Sequence, residues 1–156
     1  MRWVASWRTA VPPPVVTLGA AFAMAMAAPV VPGWSGAWAF HQAMGVAVAL
    51  TAVWWMALAL WTLIRQRTTF NPLVPAQASH LVTHGVFARS RNPIYLADLM
   101  VLLGWWCWLG DWTAGWGLLA FWAWMSVMQI PAEEAALRAH FGDAFAEYCA
   151  RVRRWI

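Results

Sequence analysis

The sequence predicts an all-α, polytopic membrane protein. It reads as four transmembrane helices and a C-terminal amphipathic cytoplasmic helical segment, in one domain over residues 1–156. Three observations carry this. The chain is 63% hydrophobic and 10% charged, where soluble domains carry about 25% charged residues. Its apolar residues gather into four long segments. Its basic residues, all arginine, keep to three stretches between and beyond those segments.

The four segments are Val15–Val31, Ala37–Ile64, Ile94–Leu109 and Thr113–Ile130. A spanning helix needs roughly 17 to 25 residues. The second segment is long enough to tilt or project, and the third must borrow from its flanks. Backbone groups in lipid must bond internally, so all four read as helices. The first also resembles a signal peptide ending "AMAMAAP". Against that reading, Pro12-Pro13-Pro14 interrupts the approach, and three remaining helices would separate the termini across the membrane. Two arginines precede the first segment, four lie between Arg65 and Arg91, and four follow from Arg138 onward. With four spans all ten fall on one face, which the positive-inside rule makes cytoplasmic together with both termini. This anchoring face accounts for the net charge of +4, so no nucleic-acid partner is required.

Trp34, Trp38, Trp105, Trp106, Trp108, Trp112 and Trp116 cluster at the external helix ends, as expected of an interfacial belt. Cys107 and Cys149 fall on opposite faces and suit neither a disulfide nor a metal site. Beyond the fourth segment, residues 131–156 form an amphipathic tail. Leu137, Phe141, Phe145 and Tyr148 make one apolar stripe, set against the bilayer or the bundle. Gly142-Asp143 ends one helix and caps the next. Glu134 and Glu147 each precede an arginine by four residues, Arg138 and Arg151, a spacing for surface pairs.

The polar chemistry collects in two cytoplasmic stretches. In "HLVTHGVFARSRNPIYLADL", Pro93 suits a first helical turn and Asn92 its cap. Arg91 beside that helix N-terminus makes a carboxylate or phosphate site. Tyr95 and Asp98, three residues apart, share a helix face; Asp98 is either an intramembrane functional acid or an acid that reaches water near the helix start. In the tail, Glu133-Glu134 are adjacent carboxylates at the membrane face, costly unless something cationic meets them. Arg91 across from two glutamates fits a ligand bearing both a carboxylate and positive charge.

"HLVTHGVFARSRNPIYL" resembles the L-V-T-x-G-x-Y/F-x-x-x-R-H/N-P-x-Y signature of the isoprenylcysteine carboxyl methyltransferase-like membrane enzymes, a group that includes phospholipid N-methyltransferases. "EEAALRAHFGDAFAEYCARV" is similar to their second signature. The resemblance covers roughly the C-terminal half, from "TTFNP" onward. It implies S-adenosylmethionine (AdoMet) as cytosolic methyl donor, S-adenosylhomocysteine as product, and a hydrophobic acceptor arriving from the membrane. It further implies cofactor contacts at Ser79, His80, Leu81, Val82, Phe87, Asn92, Pro93, Ile94, Tyr95 and Glu133, and an essential, acceptor-positioning role for Arg91. The acceptor-side positions are Gln129 and Glu134. Gln129 stands where isoprenylcysteine enzymes carry arginine, which argues against a prenylcysteine acceptor and leaves a thiol, an amine or an isoprenoid acid. Asn92, Ala97 and Arg153 also depart from the commoner histidine, glycine and proline. Direct methyl displacement needs alignment and water exclusion and no metal. No Gly-rich strand-to-helix fingerprint supports a Rossmann-type enzyme. The alternatives are a non-catalytic membrane scaffold, or an enzyme binding a different ligand such as a nucleotide or quinone.

Overall fold

The computed structural model describes residues 11–28, 38–66 and 80–156. They are helical, with no strand among them: α1 (Pro13–Ala27), α2 (Trp38–Arg65), α3 (Pro93–Leu109), α4 (Trp116–Trp124), α5 (Ile130–Phe141) and α6 (Asp143–Arg151). Short 3-10 turns at Gly85–Ala88 and Thr113–Gly115 precede α3 and α4. Among the described residues α2 is the one helix long and apolar enough to cross a membrane by itself, while α1 and α3 are shorter apolar helices. Arg2, Arg8, Trp34, the end of the first predicted segment and the connection after it lie outside the described residues, as do Ala37, Asn71-Pro72 and Ser79.

Proline sets two of the helix starts. Pro12 occupies the cap of α1 and Pro13 its first turn, where a missing N–H costs nothing; the triple proline therefore opens the helix. Pro93 does the same for α3. Asn92 takes the cap position, but its side chain makes no capping bond. It donates to the Arg154 carbonyl at 2.9 Å.

The pairing of α2 with α3 rests on a close backbone approach. A Cβ at Gly45 would lie 2.7 Å from the Gly104 carbonyl oxygen, and a Cβ at Gly104 equally close to the Gly45 oxygen. Small residues at such crossings let spanning helices make dense contact without a hydrophobic driving force. On the other side α3 meets α1, and α1 meets α4. Met24 of α1, 1% exposed, sits in the core with Tyr95, Leu102, Phe121, Met125 and Ile130. The outward faces are apolar: Leu18 is 71% and Trp54 67% exposed, with Phe22, Leu50 and Leu119 alongside. Exposed apolar surface on this scale marks a membrane or partner contact.

The predicted boundary at Ile130 is corrected. The helical tract that starts at Trp116 runs unbroken through Pro131 to Phe141, widening into a π-helical turn at Met125–Gln129. Proline explains the widening. In an α-helix its ring would collide with the carbonyl four residues back, that of Val127. In the wider turn the Ile130 N–H bonds the Met125 carbonyl. The Ser126 carbonyl would then face the nitrogen of Pro131, which has no proton.

Two further expectations are refined. Trp105 and Trp106, assigned to the external belt, are internal braces: the Trp105 indole donates to the Ala21 carbonyl at 3.0 Å and the Trp106 indole to the Asp111 carbonyl at 2.8 Å. Trp108, Trp112 and Trp116 remain exposed. The apolar stripe of the tail packs within the protein, where Phe145, Tyr148 and Val152 form a cluster with Leu137 and Phe141 of the tail and with Leu81 from the stretch before α3. Gly142, at φ 54°, makes the turn between α5 and α6, and Asp143 is the first residue of α6.

Candidate active site

The start of α3, the start of α5 and the last described residues meet in one polar cluster. Its centre is Glu133. The Tyr95 hydroxyl donates to Glu133 Oε1 at 2.5 Å, and Gln129 Nε2 donates to the same oxygen at 2.6 Å. Gln129 belongs to the π-helical turn, one helical turn before Glu133, and is 0% exposed. Its carbonyl oxygen is buried without a hydrogen-bond partner among the described residues. Such an orphan acceptor in an interior costs about 1–3 kcal/mol unless a donor meets it.

Glu133 receives these neutral donors, and no cation pairs with it among the described residues. Burial lifts its carboxyl from the ordinary 4.5 to about 7; the Tyr95 and Gln129 hydrogen bonds oppose the rise and the neighbouring Glu134 charge adds to it. A buried carboxylate balanced at neutrality favours a cationic group beside it.

Glu134 has the opposite fate. Arg91 Nη2 donates to its Oε1 at 2.9 Å, while Arg154 spans both oxygens, Nε to Oε1 at 3.1 Å and Nη2 to Oε2 at 2.7 Å. The predicted Glu134–Arg138 surface pair is replaced by this three-residue network, and Arg138 lies instead over the Phe145 ring at 5.9 Å. An acceptor contact at Glu134 thus competes with two arginines. Arg91 also donates from Nη1 to the Cys149 carbonyl at 3.3 Å, and its Nε is buried without a partner among the described residues. Two guanidinium groups on one carboxylate leave the network with a net positive charge.

The residues Arg153–Trp155 form a strap across this cluster, which sequence reasoning missed. The Arg153 carbonyl accepts from the Arg91 N–H at 3.0 Å, and the Arg154 carbonyl from Asn92 Nδ2 and Ser90 Oγ. On the far side Arg154 Nη1 reaches the Ser126 carbonyl at 3.4 Å and the Trp155 indole donates to Ser126 Oγ at 3.1 Å. The strap therefore ties the π-helical turn to the approach to α3. In the sequence, Arg153 stood out only as a departure from the proline of the second signature, and Arg154 carried only a charge signal.

The other predicted contacts fall around this centre. Pro93 is buried beneath it, and Ile94 packs on the bundle core. Leu81 joins the Phe145 cluster, Val82 is buried, and Phe87 presents its carbonyl to the Tyr148 hydroxyl at 2.7 Å. His80 is exposed. Ser79 lies outside the described residues. Asp98 is half-buried on α3, and the Thr17 hydroxyl of α1 donates to the Pro13 carbonyl at 3.1 Å. Thr17 also lines an apolar cleft of about 490 Å³ between α1, α2 and α3, walled by Leu18, Val46, Leu102, Trp105 and Trp108.

The model of a family described as phospholipid methyltransferase matches residues 40–144, from the start of α2 to the start of α6. An uncharacterised protein of Haemophilus influenzae is 40% identical over 63 residues, which is 40% of this chain and the whole of that relative. No solved structure matches.

Proposed function

This chain belongs to the phospholipid methyltransferase family, and on that premise we propose that it transfers a methyl group from AdoMet to a membrane-borne hydrophobic acceptor. The methyltransferase class and the membrane association come with the family. The donor, the acceptor and the four-span arrangement are our reading.

The observation that carries the reading is the split between the adjacent glutamates. Glu134 is held by two arginines, whereas Glu133 takes neutral donors and, among the described residues, no cation. AdoMet bears a carboxylate beside an ammonium and a sulfonium. Glu133, with the Gln129 carbonyl oxygen that lacks a donor, fits the ammonium. Arg91, in a network of net positive charge, fits the carboxylate. When bound, AdoMet supplies an electrophilic methyl group. The protein's task is to align an acceptor with it and exclude water. Tyr95 and Gln129 fix the Glu133 carboxylate, and the apolar cleft between α1, α2 and α3 supports a hydrocarbon-bearing acceptor. The neutral Gln129 beside an acidic residue disfavours an acceptor with a carboxylate head.

S-adenosylhomocysteine binding to the detergent-purified protein, measured by calorimetry, tests this. The wild type binds, and Glu133→Gln weakens binding by about tenfold or more, as expected for a charged hydrogen bond contributing roughly 1.5–3 kcal/mol. A folded wild type that does not bind removes the AdoMet reading and leaves a non-catalytic membrane scaffold.

A further inference from the structure

We infer that Arg154 is a positioning residue that keeps Arg91 from being neutralised, by holding Glu134 between the two guanidinium groups. The inference rests on the AdoMet reading above, in which Arg91 meets the cofactor carboxylate. It concerns a residue beyond the stretch that matches the family, which ends at residue 144.

The geometry is asymmetric. Arg154 grips Glu134 through two donors, one to each carboxylate oxygen, whereas Arg91 contacts Oε1 alone. A bidentate arginine is the stronger and more directional partner. Both Arg91 and Glu134 are largely buried, with side chains 14% and 13% exposed. Without Arg154, the Glu134 carboxylate can turn both oxygens to Arg91. A one-to-one buried pair has no net charge left for an anionic ligand. With Arg154, one carboxylate serves two arginines and Arg91 keeps part of its field. Arg154 is itself fixed from behind by the Ser126 carbonyl of the π-helical turn, and by its own carbonyl, which accepts from Asn92 and Ser90.

A brace and a charge divider make opposite predictions for a double variant. If Arg154 only braces the fold, removing Glu134 as well adds damage. If it divides Glu134, removing Glu134 releases Arg91 again. The experiment measures S-adenosylhomocysteine affinity by calorimetry in the full-length wild type, Arg154→Ala, Glu134→Gln and the double variant, each with a melting curve. Arg154→Ala weakens binding about tenfold, Glu134→Gln alone tightens it by freeing Arg91 from its carboxylate, and the double variant recovers most of the loss; the excess over additivity is the coupling. Should Arg154→Ala melt below the assay temperature, the same cycle is run with Arg154→Lys, which keeps the charge but cannot span both oxygens; a smaller loss, again reversed by Glu134→Gln, is expected. A double variant as weak as the Arg154 variant or weaker overturns the inference while leaving the AdoMet reading intact. Absence of binding in the wild type overturns both.

Discussion

At the scale of single residues, Glu133 and Glu134 show how position within a few ångströms decides a carboxylate's role. They are neighbours in sequence, yet among the described residues one meets two arginines and the other none. The consequence for Glu133 is a pH dependence of definite sign. Its carboxyl is lifted by burial to about 7, above its ordinary 4.5, so the folded state holds the proton more tightly than the unfolded chain. The stability it contributes is fully present below about pH 4.5 and is lost as pH rises through about 7. Thermal melting of the ligand-free protein should therefore fall over that window in the wild type and fall less steeply there in Glu133→Gln. A cation at Glu133 favours the ionised form, so S-adenosylhomocysteine binding should strengthen as pH rises through about 7 and release a proton. Calorimetry in buffers of different ionisation enthalpy detects that proton, and its absence separates the ligand from Glu133. Much of this was legible in the sequence, because adjacent acids at a membrane face demand an explanation. Arg154 was not legible. Nothing local distinguishes an arginine anchored 20 residues away on Glu134 from one that faces headgroups, since the anchor is created by tertiary folding.

At the scale of elements, helix identity and order were readable from apolar length, and proline marked the start of α3; at α1 the triple proline read as an interruption, whereas it opens the helix. The end of the fourth segment was not. A proline reads locally as a boundary, and here the chain instead widened one turn and carried on through it. The register shift places Gln129 fully inside while Glu133 reaches Tyr95. Pro131→Ala restores an N–H that can serve a backbone carbonyl, so it should relax the wide turn and loosen the hold of Arg154 on Ser126. Hydrogen exchange across residues 125–130 would report that change, and unaltered protection there would count against proline as the cause. The α2–α3 crossing makes a harder demand. Gly104→Ala sets a methyl group 2.7 Å from a backbone oxygen that cannot rotate away. Melting of this variant in detergent should show a loss of about 1–3 kcal/mol, the usual range for overpacking.

At the scale of the whole molecule, the arginine distribution proposes a cytoplasmic face carrying the entire polar cluster. Cys149, half-buried in α6 beside that cluster, offers a probe. An impermeant maleimide should modify it in inside-out membrane vesicles and spare it in right-side-out ones; the reverse pattern would invert the topology. The strap adds a constraint of a different kind, concerning the order in which the chain is made. Arg91 and Asn92 are made between the second and third apolar segments, yet their partners at Arg153 and Arg154 come after every described helix. The helices of the bundle can form and pair before those two residues are synthesised. The polar cluster has to wait for them. Contacts of such long sequence separation close late, so a nascent chain holds a bundle before it holds a site, and the charged pocket is the last part of the fold to be completed.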